Sequence, residues 1–366
     1  MKLIPVYMPD VSGNELEYVT DCIQSGWISS LGKYVSRFEG EFASICGVKH
    51  AIALANGTVA LHLALLSLDI GPGDEVIMPP LTFVATANAV KYVGANPVFV
   101  DVDPTTWTID PEKIESKISS NTRAIMPVHL YGHPVDMDPL NGIADKHDLI
   151  VIEDAAEAHG AKYKGKTTGS LGDVACFSFY GNKAITTGEG GMLTTDSDQI
   201  AERARFLKDH GMDKDRHYWH SEVGYNFRMT NLQAAVGVAQ IERFPEIYTR
   251  KRYIAGIYKE RLMELPTIEV QPEASWAENS YWMNSIILKE NCPLDRDTLR
   301  EKLSQHGIDT RPFFYPLHFL PPYKELEGKY PVSERLAAGG INLPSYPGLA
   351  DDDINRICDL IIELTN

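Results

Sequence analysis

From about residue 48 to residue 200 the chain alternates short apolar runs with amphipathic helical stretches, a pattern that requires a mostly parallel sheet covered by helices on both faces. Ala51-Ile-Ala-Leu-Ala reads as a strand and Thr58 to Leu68 as a helix, with Leu61, Leu65 and Leu68 at helical spacing. Glu75-Val-Ile-Met-Pro is the next strand, followed by a helix near Ala85 to Val93 and the strand Pro97-Val-Phe-Val-Asp. Arg123-Ala-Ile-Met-Pro-Val, Leu149-Ile-Val-Ile-Glu-Asp, Val174 to Phe179 and Gly191 to Thr195 continue the series. Ligands of such sheets sit where loops converge at the carboxyl ends of strands. Asn56, Phe83, Asp154 and Lys183 all fall there.

Helical signal dominates from Asn231 to about Leu265, with Leu232, Ala235, Val238 and Ile241 on one face, and reads as one long connecting helix. Past Pro266 the character changes. Tyr281-Trp-Met-Asn-Ser-Ile-Ile-Leu is a strand, Asp295 to His306 a helix, Arg311-Pro-Phe-Phe-Tyr-Pro a rigid loop and Asp351 to Leu364 a terminal helix. We expect a large domain over residues 1–240 and a smaller α+β domain over 241–366, since 366 residues that are 44% apolar can fill two cores.

A formal charge of −16 argues against nucleic acid and anionic membrane as partners, because both would repel the chain. Anionic substrates would need basic or amide-lined pockets. Cys22, Cys46, Cys176, Cys292 and Cys358 are odd in number and form no Cys-x-x-Cys pair, which suits a reducing cytoplasm. No stretch reaches the roughly 18 uncharged apolar residues of a membrane span.

Two glycine motifs and a histidine cluster point elsewhere. Gly160-Ala-Lys-Tyr-Lys-Gly165-Lys166-Thr167 satisfies the letters of a phosphate loop, but Tyr163 to Lys166 reads as a hairpin tip and Thr167-Thr-Gly-Ser-Leu-Gly-Asp does not open a helix. Gly188-Glu-Gly-Gly191 fails the dinucleotide pattern at Leu193, and no helix follows it. His210, His217 and His220 lack partners at ligand spacing, so no metal is expected.

Lys183 lies in a Ser- and Gly-bordered turn after a strand-like run. Its amine could form a Schiff base with an aldehyde cofactor such as pyridoxal 5'-phosphate (PLP), whose remaining groups each need a different partner. A carboxylate must face the pyridine nitrogen to keep it protonated, and Asp154 fits. The phosphate prefers amides at a helix start and hydroxyl donors, which Gly57, Thr58 and Ser178 can supply. Phe83 could stack on the ring.

Together these residues carry a resemblance. Gly26-Trp-Ile-Ser, Asn56-Gly-Thr-Val-Ala-Leu, Glu153-Asp-Ala-Ala-Glu-Ala-His-Gly, Ser178-Phe-Tyr-Gly-Asn-Lys, Gly188-Glu-Gly-Gly, Gly224-Tyr-Asn-Phe-Arg-Met-Thr and Arg311-Pro-Phe-Phe-Tyr-Pro-Leu-His occur in that order. Over essentially its whole length the chain resembles the PLP-dependent sugar aminotransferases of the DegT/DnrJ/EryC1/StrS family. The resemblance implies a three-layer PLP-transferase fold of the aspartate aminotransferase type. By it Lys183 is the Schiff-base lysine, Asp154 pairs with the pyridinium, Glu157 lies near the ring hydroxyl where many relatives carry Gln or His, and Thr58 and Ser178 hold the phosphate. It also implies that Asn226 reaches the phosphate bound by a neighbouring subunit, so the protein would be a homodimer or larger with shared active sites. Relatives that replace the lysine by histidine are dehydratases; here Lys183 is intact, which favours transamination.

The implied substrates are L-glutamate and a nucleotide-linked keto sugar. His129-Leu-Tyr-Gly-His-Pro, Trp27-Ile-Ser-Ser and the 311–318 segment most resemble members that aminate C4 of GDP-4-keto-6-deoxymannose, with dTDP- or UDP-linked 4-keto-6-deoxyhexoses as the alternative. Sugar contacts are expected from Trp27, Tyr315 and His318, with Arg228 a phosphate partner. The alternative of another class is a sensor that binds PLP without turnover.

Overall fold

The computed structural model describes residues 3–326 and 328–366. Fourteen strands are present among them: β1 (His50–Leu54), β2 (Glu75–Met78), β3 (Asn96–Phe99), β4 (Thr122–Ile125), β5 (Ile150–Asp154), β6 (Lys162–Tyr163), β7 (Lys166–Thr167), β8 (Val174–Ser178), β9 (Gly191–Thr195), β10 (Ile268–Val270), β11 (Ala277–Glu278), β12 (Asn284–Leu288), β13 (Arg311–Pro312) and β14 (Gly340–Leu343). The helices are α1 (Glu15–Ser25), α2 (Lys33–Cys46), α3 (Gly57–Ser67), α4 (Ala85–Tyr92), α5 (Pro111–Ile114), α6 (Met137–His147), α7 (Asp198–Lys208), α8 (Asn231–Glu242), α9 (Phe244–Leu262), α10 (Arg296–Gln305), α11 (Pro331–Gly339) and α12 (Asp351–Thr365).

Seven strands form the central sheet in the order β1-β9-β8-β5-β4-β2-β3. It is mostly parallel, as the continuous apolar runs predict; β9 alone runs against both of its neighbours. Such runs suit strands buried on both faces. On one face α3 packs against β8 and β9 between α4 and α7, burying Leu61, Leu63 and Leu65 with Ile52, Cys176 and Leu193. On the other α8 packs on α1 and α2, where Phe38, Phe42, Phe177 and Phe179 share a core. Each of these buried side chains contributes about 1.5–3 kcal/mol. This is a three-layer arrangement, and it puts the carboxyl end of β5 near the middle of the sheet.

The connection after β9 differs from the expected single helix. Residues 231–262 form two helices, α8 and α9, broken at Arg243 (φ −103°, ψ 2°). Pro245 explains the break, because it has no N–H to give to the carbonyl of Ile241 and instead suits the first turn of a new helix, where it sits in α9. The first strand beyond Pro266 that matches Tyr281–Leu288 begins only at Asn284.

A second, antiparallel sheet, β10-β12-β14-β13, is covered by α9, α10 and α12. Residues 4–9 run back along it, with Ile4 bridging to Ile308 and Ser345 N–H donating to the Val6 carbonyl. The phosphate-loop lookalike is a hairpin: β6 and β7 pair around Lys164 and Gly165, and β11 joins them as a third strand. No helix among the described residues is long and apolar enough to cross a membrane. The five cysteines are free.

Candidate active site

Strand β8 ends at Ser178, and the chain then turns through residues 179–190 before β9. Lys183 N–H donates to the Tyr180 carbonyl (2.8 Å) and Thr187 N–H to the Phe179 carbonyl (2.9 Å), so the lysine is fixed at the backbone. Its side chain is only 10% exposed. The ammonium sits 3.8 Å from the centre of the Trp282 ring and 3.8 Å from Glu157 Oε1. Burial pushes the Lys183 amine down from the usual lysine value, while Glu157 and Asp154 oppose that shift. A lysine in this setting can be discharged to act as a nucleophile and recharged to carry a proton.

Both carboxylates come from β5 and the turn after it. Asp154 accepts from Thr86 Oγ1 (2.8 Å) and from Ala156 N–H (3.2 Å), and burial raises it above the usual carboxylate range despite those bonds. Thr86 is held in turn by Thr82 (2.8 Å). Glu157 accepts from Tyr131 N–H (2.8 Å), and burial raises it to about 7 against the pull of Lys183. Next to them His159 is buried, and burial together with the Lys183 charge pushes it down to about 3, so it is neutral.

The start of α3 lies against the end of β8. Asn56 caps the helix by accepting from Val59 N–H (3.0 Å). A Cβ on Gly57 would stand 2.7 Å from Ser178 Cβ, and one on Gly191 would stand 2.3 Å from the Asn56 carbonyl oxygen. The glycines therefore permit strand β9, the helix start and Ser178 to meet, and the free amides of α3 face the same place as the Ser178 hydroxyl. These residues fit PLP. An amine and two buried carboxylates lie together at the carboxyl end of β5, and beside it, at the end of the neighbouring strand β8, an amide-and-hydroxyl anion cradle has no side chain at position 57 to fill it.

Phe83 adjoins this cluster, its carbonyl accepting from Thr86 Oγ1 (3.1 Å), the same hydroxyl that holds Asp154. Phe83 is 55% exposed and packs against Phe314 (5.6 Å). Asn226 is exposed and accepts from Arg228 Nε (3.1 Å), while Arg228 pairs with Asp209 (2.7 Å). Trp27 and Tyr315 are exposed, and His318 is buried beside Tyr330 with Nε2 3.2 Å from Glu334. Sequence reasoning missed Trp282, Tyr7, Thr86 and Tyr131. Of these only Thr86, on the helix that follows β2, carried a signal, since its position at a strand-end loop matches that of Phe83.

Comparison with known proteins agrees with this geometry. The model of the DegT/DnrJ/EryC1/StrS aminotransferase family matches residues 9–362. The chain is 49% identical to the GDP-perosamine synthase of Escherichia coli O157:H7 over 363 residues, 99% of each chain. It is 49% identical to that of Caulobacter vibrioides over 356 residues, 97% of this chain and 96% of the other. Among solved structures, S. venezuelae DesV superposes with a TM-score of 0.93 at 36% identity, covering 99% of this chain and 98% of DesV. Because the match takes in the central sheet, the lysine turn and the second sheet alike, this chain belongs to the DegT/DnrJ/EryC1/StrS aminotransferase family and is a PLP-dependent sugar aminotransferase.

Proposed function

We propose that the chain transfers the amino group of L-glutamate to C4 of GDP-4-keto-6-deoxy-D-mannose, giving GDP-perosamine and 2-oxoglutarate. The observation that carries the chemistry is the buried Lys183 amine held between Glu157 and Trp282. The sugar is supported by the near-full-length identity to two GDP-perosamine synthases.

PLP, when bound, supplies an aldehyde that takes up amino nitrogen and a ring that withdraws electrons. Lys183 Nζ would anchor that aldehyde and would serve as the base that carries the proton at the amine carbon. Asp154 would hold the proton of the pyridine nitrogen, and Glu157 would lie near the ring hydroxyl. Thr58, Ser178 and the amides of Gly57 and Thr58 would hold the phosphate. The Lys183 side chain is only 10% exposed, which limits the access of water to the amine.

We further propose a cytoplasmic homodimer in which Asn226 and Arg228 serve the crevice of the second subunit, and Trp27, Tyr315 and His318 shape the sugar pocket. In one chain Trp27, Leu31, Tyr218, Trp219 and Val223 expose large apolar side chains, which a second copy would cover. Phe83 stays open for ring stacking.

Glutamate-dependent amination measured across GDP-, dTDP- and UDP-linked 4-keto-6-deoxyhexoses tests the substrate. Preference for a dTDP sugar would overturn the GDP assignment and leave the aminotransferase intact. A visible PLP band that does not respond to glutamate would instead indicate a sensor.

A further inference from the structure

Helix α9 buries a lysine that the reaction as described does not use. Lys251 is wholly buried, and no ion pair holds it among the described residues. Its Nζ donates to the Trp282 carbonyl (2.7 Å), the Ser345 carbonyl (2.6 Å) and Ser345 Oγ (3.1 Å). Three acceptors for three ammonium protons is the geometry of a charged lysine held by neutral oxygens. Burial works against that charge and brings the amine down to about 7. A buried cation without a counter-ion is costly, so its retention where a Met or Leu would fill the space calls for a use.

The tethers lead to the reacting amine. Trp282, whose backbone Lys251 fixes, lays its indole 3.8 Å from Lys183 Nζ and donates from Nε1 to the Asn182 carbonyl (2.7 Å). On another side the Tyr7 ring lies 5.5 Å from Lys251 Nζ, and the Tyr7 hydroxyl donates to the carbonyl of Lys183 itself (2.5 Å). Both routes join Lys251 to the turn that carries Lys183. One comes through the second sheet, the other through the N-terminal segment.

We propose that Lys251 is a positioning residue for the amino transfer: by fixing Trp282 and flanking Tyr7 it keeps the indole face against the Lys183 amine. The proposal rests on the reading of Lys183 as the reacting amine. An indole face attracts a cation, so holding it there favours the protonated nitrogen, opposite in effect to burial. The other groups that face Lys183 are Glu157, Asp154 and neutral His159, and those that face Lys251 are the Tyr7 ring and the oxygens of Trp282 and Ser345.

The test uses PLP-loaded full-length protein as wild type, Lys251→Met, Lys251→Arg and Ser345→Ala. The readouts are the pH midpoint of the visible cofactor band, kcat and KM, and the thermal midpoint. In Lys251→Met the band midpoint falls by about half a unit or more as the indole face is lost. Its kcat falls about tenfold while KM for both substrates stays within about twofold, as expected of lost positioning. Lys251→Arg recovers part of both changes. Ser345→Ala, which removes a single acceptor and leaves the lysine, shifts the midpoint in the same direction by less, and it carries the test if Lys251→Met does not fold. A lower thermal midpoint with a band midpoint that stays or rises overturns the proposal. If the wild-type band survives Lys183→Ala unchanged, the reading of Lys183 fails, which is a distinguishable result.

Discussion

Glu157 Oε1 stands 3.8 Å from Lys183 Nζ, too far for a hydrogen bond and close enough for each group to govern the other's charge. Burial pushes the carboxyl up and the amine down, so each moves toward its neutral form, and their mutual attraction resists. A pair balanced in this way leaves both groups close to their neutral forms, so that the charge of each depends on the other.

The first prediction follows from the sign of the Glu157 shift. Its folded value, about 7, lies above its ordinary 4.5, so between those pH values the folded protein binds the proton that the unfolded chain releases. Stability from this group is fully present below about 4.5 and is lost as pH rises toward about 7. Glu157→Gln has no such proton, so its thermal midpoint relative to wild type should rise across that window, by the equivalent of at most about 3 kcal/mol. Parallel thermal denaturation of the cofactor-free proteins at several pH values checks it; a difference that stays flat would refute it.

Lys183→Ala should retain PLP only by its phosphate and ring contacts. The bound cofactor would then show the spectrum of the free aldehyde, and glutamate-dependent turnover should fall by a factor of about 10³ or more, as expected when both an anchor and a proton carrier are lost. Absorbance after gel filtration and a coupled 2-oxoglutarate assay measure the two effects separately.

How legible these features are in the sequence depends on how far apart the interacting residues lie along it. The strands of the central sheet are continuous apolar runs, with Asp154 at the end of one and Lys183 in the turn after another, so the fold and the place of these two residues can be read locally. The break at Arg243 was also written locally, in Pro245, but the apolar period of α8 runs straight into it and masks it. Trp282 and Tyr7 are different. They reach the Lys183 turn across 100 and 176 residues, and no periodicity or spacing relates residues so far apart. His318 follows a Pro- and aromatic-rich loop and is buried beside Tyr330, a packing that local sequence does not reveal.

Gly57→Ala tests the anion cradle. The new methyl would meet Ser178 Cβ at 2.7 Å, with backbone beyond it, so the helix start and strand end must separate. Overpacking of this kind costs about 1–3 kcal/mol. The larger effect should fall on PLP affinity, weakened about tenfold or more because the amides of α3 are displaced from the phosphate. Titration of cofactor-free protein with PLP, beside its thermal midpoint, separates the two; undiminished affinity would place the phosphate elsewhere.

Asp154→Asn asks whether the buried carboxylate is there for the fold or for the chemistry. Its two hydrogen bonds, from Thr86 Oγ1 and Ala156 N–H, can both survive the change. The amide oxygen still accepts from Ala156, and the Thr86 hydroxyl can turn to accept from the new NH₂ group. The substitution also removes a group that burial penalises when charged, so the cofactor-free protein should be as stable as wild type or slightly more so. What an amide cannot do is hold a proton on the pyridine nitrogen. Turnover should therefore drop by a factor of about 10² or more while PLP still binds and the thermal midpoint holds. If stability collapses along with activity, Asp154 is chiefly a structural anchor for the end of β5; if both persist, the ring lies away from it.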